Sequence, residues 1–299
     1  MRIRVITFAK INLYLDVIGK YSNGYHQIES VFQSIGLSDE LILEDSRKGV
    51  FFISNEKSLP TDERNLVIKA ANILATNFGV KKGVKIYLEK RIPIGRGLGG
   101  GSSNCAGTLA GLNVLWGLGL SKEELIKFAT KLGADVPFFF TGGTCAVSGI
   151  GDFVRKLPFM CDYYIVLIDP GFSSSTREVY THPSLVVRRI RKKRSFFSYN
   201  FRKMLVELYR KRWEKVLYNR LEIPAFVLYP KLRKIKDFVN SLGVKNVCMT
   251  GSGSTIFAIF GSKDEAELLA KKISDEYNEY GVYIVEPVSC GFKLLEDCN

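Results

Sequence analysis

The segment Pro93 to Ser103, Pro-Ile-Gly-Arg-Gly-Leu-Gly-Gly-Gly-Ser-Ser, carries five glycines and two serines directly before an apolar stretch that runs to Trp116 without a proline. Glycines let the backbone approach a ligand closely, and the free N–H groups at a helix N-terminus, with the helix dipole, suit phosphate oxygens. The pattern predicts a phosphate cradle, because a flexible connector has no need of a serine-capped, buried helix behind it. Gly95, Gly97 and Gly100 formally satisfy the dinucleotide spacing G-x-G-x-x-G. That site also needs an acidic residue about 20 positions further on, and no acid occurs between Gly101 and Lys122. The G-x-x-x-x-G-K-[ST] loop is absent as well. A triphosphate site of a third kind is left.

Other residues with chemical potential are scattered. Asp135 lies in Gly-Ala-Asp-Val-Pro-Phe-Phe, where a carboxylate is costly unless it is used or paired. Lys10, between Ala9 and Ile11 in an expected strand, reads alone as an edge lysine with its stem buried and its head in water. Tyr25 and His26 follow Asn23-Gly24; a π-face beside a group able to read a polar edge is compatible with a pyrimidine. Thr250 to Ser254, Thr-Gly-Ser-Gly-Ser, reads alone as a tight turn before a strand.

The elements that must hold these residues are read from periodicity. Strands are expected near 2–8, 11–18, 40–45, 50–54 and 84–90, with a helix near 65–78. A glycine turn at 95–101 leads to a buried helix over 103–116. Ser121 and Glu124 form a capping box for a helix ending near 132–133, followed by strands near 138–147 and 163–169. A basic helical stretch then reaches about 218, before a helix at 231–242, a strand at 255–260, a helix at 263–278 and a strand at 282–288. This is α+β material, and 299 residues give a prior of about two domains.

Several motifs in chain order resemble the GHMP small-molecule kinases, which use a glycine-serine loop of the Pro93 to Ser103 kind. Ala9-Lys10-Ile11-Asn12-Leu13, Gly24-Tyr25-His26 with Glu29, Ile92-Pro93 through Asn104, Leu112-Asn113, Gly133-Ala134-Asp135-Val136-Pro137-Phe138 and Thr250 to Ser254 carry the likeness, which runs from about residue 5 to 260. Within the family they are most similar to the members that phosphorylate the C2 hydroxyl of 4-diphosphocytidyl-2-C-methyl-D-erythritol in the methylerythritol phosphate route to isoprenoids. The resemblance implies a two-domain fold, with a ribosomal-S5-domain-2-like half over 1–158 and a ferredoxin-like half over 159–299, and ATP and substrate in the cleft. It implies ATP contacts by Pro93, Ile94, Gly95, Arg96, Gly97, Leu98, Gly99, Gly100, Gly101, Ser102 and Ser103. It implies Asp135 as base and Lys10 as catalytic lysine, with Asn12, Tyr25, His26, Thr176, Tyr180, Gly251 and Ser252 on the substrate. Mg²⁺ is implied with ATP, its protein ligands not legible beyond a suggestion of Ser103. Asn219-Arg220-Leu221-Glu222 departs from the family's usual Asn-Asp-Leu-Glu.

Composition narrows the rest. Hydrophobic residues at 46% and charged residues at 24% exclude a disordered or fibrous chain. The longest apolar runs, such as Tyr163 to Ile168, are strand-sized, so no membrane span is expected. The N-terminal segment lacks the apolar region of a signal peptide, which points to the cytoplasm. Cys105, Cys145, Cys161, Cys248, Cys290 and Cys298 form no C-x-x-C pair and only His26 and His182 are histidines; the cysteines read as small buried hydrophobes rather than as zinc ligands. Of the net charge of +13, the stretch Val187 to Lys215 holds +10, with twelve Lys or Arg against two Glu. Phe201, Leu205, Leu208, Tyr209, Trp213, Val216 and Leu217 recur there near helical spacing, predicting an apolar inner face and a solvated basic one, which can also steer an anionic substrate. The expected partner is a small molecule, with no obligate nucleic acid and no membrane, for a monomer or homodimer. The competing readings are a GHMP kinase for homoserine, mevalonate or a sugar, and an RNA-binding protein using the basic stretch with its Phe196, Phe197 and Tyr199.

Overall fold

The computed structural model describes residues 1–190 and 197–296. Phe196 and Cys298, with the basic cluster 191–194, lie outside the described residues.

Two long strands, β1 (Arg2–Lys20) and β2 (His26–Ser46), pair antiparallel along most of their length. The two strands expected over 2–8 and 11–18 are thus one. Its register shifts between Phe8 and Ala9 and again between Asn12 and Tyr14, and such bulges re-aim side chains. Between them, Ala9, Ile11 and Leu13 face the core while Lys10 and Asn12 point the other way, as a two-residue period requires. β3 (Val50–Ser54) and β4 (Gly83–Glu89) extend this sheet beyond β2, and α1 (Leu66–Phe78) lies between them in sequence. α2 (Gly100–Leu115) and α3 (Lys122–Leu132) follow, the latter opened by the expected Ser121–Glu124 capping box.

The expected strand at 138–147 is instead a short helix, α4 (Val136–Thr141), then β5 (Thr144–Gly149). Pro137 sits in the helix's first turn, Phe138, Phe139 and Phe140 are all buried, and Gly142 caps it at φ 59°. An apolar run this short has no period to separate a buried helix from a buried strand. β5 pairs with β2 and with β6 (Phe153–Lys156).

The second half holds β7 (Tyr164–Asp169), α5 (Thr176–Thr181), α6 (Tyr199–Tyr209), α7 (Trp213–Val216), β8 (Tyr218–Asn219), α8 (Glu222–Leu228), α9 (Pro230–Ser241), β9 (Val247–Met249), β10 (Ile256–Phe260), α10 (Lys263–Glu276), β11 (Gly281–Val285) and β12 (Phe292–Glu296). The order β7-α9-β9-β10-α10-β11 with sheet order β11-β7-β10-β9, all antiparallel, is the ferredoxin-like βαββαβ arrangement. β12 was not expected. It crosses back and pairs with β1, so the last strand of the chain belongs to the first half's sheet.

β7 is buried on both faces. Ile165 and Leu167 join Ala9, Ile11, Leu13, Val31 and Ile35 in one shared core, while Val166 and Ile168 turn to a second core under α9 and α10. The shared core fixes the two halves against each other, and the cleft lies at their junction.

In the basic stretch, Phe201, Leu208, Trp213 and Val216 are buried and Leu205 and Leu217 are partly so. Tyr209, expected to face inward, is instead exposed, because α6 ends there and the chain turns at Arg210. Arg210 and Arg212 both reach Glu207, and Lys211 reaches Asp162. Among the described residues no helix is long and apolar enough to cross a membrane.

Candidate active site

A cavity of about 910 Å³ lies in the cleft, lined among others by Lys10, Asn12, Tyr25, His26, Asp135, Thr176, Tyr180, Gly251 and Ser252. Every residue expected to act on the substrate or in the chemistry therefore faces one space. They arrive from β1, the β1–β2 turn, the start of α4, α5 and the turn between β9 and β10.

Lys10 is 3% exposed. Its Nζ donates to Asn12 Oδ1 at 2.8 Å, lies 3.6 Å from Asp135 Oδ2, and sits over the Phe32 ring. Burial pulls its pKa below 10.5, and the facing carboxylate of Asp135 opposes that shift. Asn12 is itself held: its backbone N–H donates to Thr250 Oγ1 and its Nδ2 to Ser30 Oγ. Asp135 keeps about a third of its side chain open to the cavity. A buried cation with a half-open carboxylate beside it is suited to taking a proton from a hydroxyl while holding negative charge.

The glycine loop forms one edge of this cavity. Gly97 and Gly99 line it and also line a second cavity of about 340 Å³ that runs along Pro93 to Ser102. α2 starts at Gly100, earlier than expected, and its N-cap is Gly99 at φ 69° with no side-chain cap. The serine cap predicted from sequence is thus not formed, which leaves the first-turn N–H groups without a side-chain acceptor. A Cβ on Gly97 would stand 2.3 Å from the Thr250 carbonyl, and one on Gly99 2.9 Å from Lys10 Cγ. Only glycine lets loop, turn and lysine approach this closely.

Two expected cradle residues turn their side chains elsewhere. Ser103 is fully buried, its hydroxyl donates to the Gly291 carbonyl at 3.4 Å, and it lines neither cavity; it is not placed to hold a metal. Arg96 lines the second cavity, but its guanidinium is engaged across the cleft by Asp169 at 2.8 Å and by Ser173 at 2.9 Å.

Also lining the large cavity, His26 and Tyr180 pair with ring centroids 5.1 Å apart, and Tyr25 is exposed. Burial and then the charge of Lys20 hold the His26 pKa below 6.5. Burial, and secondarily Asp135, pushes the Tyr180 phenol up. Thr176 Oγ1 and Ser252 Oγ are 2.8 Å apart, tying α5 to the β9–β10 turn.

Several residues escaped the sequence reading. Asp39 is fully buried: Oδ1 accepts the N–H groups of Arg91 and Ile92, and Oδ2 accepts Lys90 Nζ at 2.5 Å and Asn104 Nδ2 at 2.9 Å. It clamps the chain entering the glycine loop to the helix leaving it. In sequence Asp39 is one polar residue before an alternating strand, with partners 51 to 65 residues away, so nothing local marks it. Lys90, Asn65 and Asn104 line the loop cavity. Asn219 Nδ2 donates to the carbonyls of Met249 and Gly251, and Glu222 accepts the Met249 N–H. The departing Arg220 does not disturb this, since its guanidinium pairs with Asp16 and the Val186 carbonyl.

A ferredoxin-like half, a glycine loop at a helix N-terminus and a Lys–Asp pair in the cleft define a small-molecule kinase of the GHMP class. Residues 65–143 match the GHMP kinases N terminal domain and residues 200–279 the GHMP kinases C terminal family. The 4-diphosphocytidyl-2-C-methyl-D-erythritol kinase of Enterococcus faecalis is 36% identical over 93% of this chain and 96% of its own length, and that of Clostridium tetani 37% over 95% and 100%. The crystal structure of a 4-(cytidine 5'-diphospho)-2C-methyl-D-erythritol kinase superposes with a TM-score of 0.76 at 31% identity, covering 95% of this chain and 99% of the other. A homoserine kinase from Cytophaga hutchinsonii, 20% identical with a TM-score of 0.74 over 98% and 97%, shares the fold. The chain belongs to the 4-diphosphocytidyl-2-C-methyl-D-erythritol kinase family of GHMP kinases. It is an ATP-dependent small-molecule kinase.

Proposed function

We propose that the chain transfers the γ-phosphoryl group of ATP to the C2 hydroxyl of 4-diphosphocytidyl-2-C-methyl-D-erythritol in the methylerythritol phosphate route, within the cytoplasm, as a monomer or homodimer. The observation that carries this reading is one cavity lined by the Lys10–Asp135 pair, by Gly97 and Gly99 of the glycine loop, and by Tyr25, His26 and Tyr180. The named relatives support the substrate. The described cysteines are free thiols, in keeping with a reducing compartment.

In this reading ATP lies along the glycine loop, its phosphates on the free N–H groups at the start of α2. The substrate's cytosine lies between Tyr25 and Tyr180, with His26, neutral at pH 7, on its polar edge and Asn12, Thr176, Gly251 and Ser252 along its length. The C2 oxygen attacks the γ-phosphorus, a new O–P bond forms, the bond to the β–γ bridging oxygen breaks, and ADP leaves. Asp135 takes the hydroxyl proton, and Lys10 offsets charge on the transferring oxygens. Mg²⁺ accompanies ATP in this chemistry. Among the described residues no three His, Cys, Asp or Glu side chains gather to hold a metal; an ion bound with nucleotide phosphates needs only one or two carboxylates, and Asp135 is the carboxylate lining the large cavity.

A coupled ADP-release assay with ATP, Mg²⁺ and the cytidyl substrate, beside homoserine, mevalonate and galactose, tests the proposal. Turnover with the cytidyl compound alone is expected; turnover with only one of the others would keep the kinase and discard the substrate.

A further inference from the structure

The large cavity has an unequal distribution of free charge. Its charged lining residues are Lys10, Asp135 and Arg177, with His26 as the remaining titratable base. Lys10 is buried and committed to Asn12 and Asp135. His26 is held uncharged at neutral pH by burial and by Lys20. Neither is available to neutralise a second, non-reacting anionic group.

Arg177 differs. It lies on α5 between Thr176, whose hydroxyl contacts Ser252, and Tyr180, whose ring pairs with His26. Among the described residues its guanidinium has no acidic partner, whereas Arg96, Arg210, Arg212 and Arg220 each engage a carboxylate. It is solvent-exposed at the cavity lining, so it carries its charge without a burial cost. A planar guanidinium fork suits two adjacent phosphate groups.

We infer that Arg177 is a specificity-determining residue that binds the diphosphate of the nucleoside-diphosphate substrate. The inference rests on the substrate reading above. The substrate demands such a group, because its diphosphate does not react and yet enters a cleft whose other cation is occupied. A cation there also discriminates against neutral or singly charged alcohols that would fit the same fold.

The test compares wild type with Arg177→Ala and Arg177→Lys. Competition by cytidine and by CDP against the cytidyl substrate is measured beside steady-state kinetics, and melting temperatures verify folding. Loss of the guanidinium is expected to raise KM for the substrate and Ki for CDP by roughly tenfold or more, with Ki for cytidine and KM for ATP unmoved, and lysine restoring part of the loss. CDP and cytidine weakened equally, or neither weakened, would overturn the assignment while leaving the substrate reading intact. A wild-type enzyme that turned over another alcohol and bound neither cytidine nor CDP would overturn the substrate reading, and this assignment with it.

Discussion

Arg96, inside the glycine loop, places its Nε 2.8 Å from Asp169 Oδ1 at the end of β7, with both side chains largely buried. The same stretch is fastened further: Ser173 Oγ donates to the Ile94 carbonyl, and the Thr255 N–H donates to the Arg96 carbonyl. The glycine loop is thus anchored to the half of the chain that does not contain it. Arg96→Ala should cost about 1.5–3 kcal/mol of stability and raise KM for ATP. Denaturant unfolding and ATP titration check both, and the exchanged pair Arg96→Asp with Asp169→Arg should recover part. An unchanged KM for ATP would show that the loop holds its shape unaided.

The Lys10–Asp135 pair separates chemistry from stability. Lys10→Met should lower kcat by about 10² to 10³ without lowering the melting temperature, because a buried charge is replaced by an apolar group of similar length. Asp135→Asn should lower kcat comparably while ATP still binds. Near-normal turnover in Asp135→Asn would remove Asp135 from the role of base.

Lys10 should also set an alkaline limit. Its folded pKa is below 10.5, so turnover that needs the charged amine should fall as pH rises through a value below 10.5. The stability effect has the opposite sign. At neutral pH the buried ammonium is destabilising; between the folded pKa and 10.5 the unfolded chain binds more protons than the native one, so this penalty shrinks as pH rises. Asp135→Asn removes the charge that opposes the shift and should move the alkaline limb to lower pH. A limb that stayed in place would assign it to another group.

His26 should stay neutral and able to read a base edge throughout the range above pH 6.5. Burial is the larger cause of its lowered pKa and Lys20 the second, so Lys20→Met should raise the imidazole pKa toward 6.5 and move the acid limb of KM for the substrate upward with it. Imidazole proton shifts in an NMR titration report this directly; an unmoved midpoint would exclude the lysine as a cause.

Asp39 accepts from four donors and is paired with Lys90, whose side chain is 5% exposed. Asp39→Ala leaves that ammonium buried and unpaired and should cost about 3–5 kcal/mol, read by denaturant unfolding. The double variant Asp39→Ala with Lys90→Met should recover part of the loss by removing the stranded charge. A single variant as stable as wild type would mean that the loop entry is held by its backbone alone.

What the chain itself determines is local and compositional. The glycine-serine loop, the capping box at Ser121, the period-two strands and the apolar face of α6 are legible because each rests on residues near one another in sequence. Lys10, Asp135, Tyr25 and His26 are legible only as a constellation, since each alone has a commoner structural reading. Tertiary structure decided the rest. A three-phenylalanine run became a helix because Pro137 starts it and Gly142 ends it within a site buried on all sides. The first helical turn was left uncapped because Gly99 had to clear Lys10. Ser103, Arg96 and Asp39 were assigned by partners 51 to 188 residues distant, and β12 by its return to β1. These depend on long-range burial, where a polar group takes whichever partner the packing brings to it, and no local pattern encodes that partner.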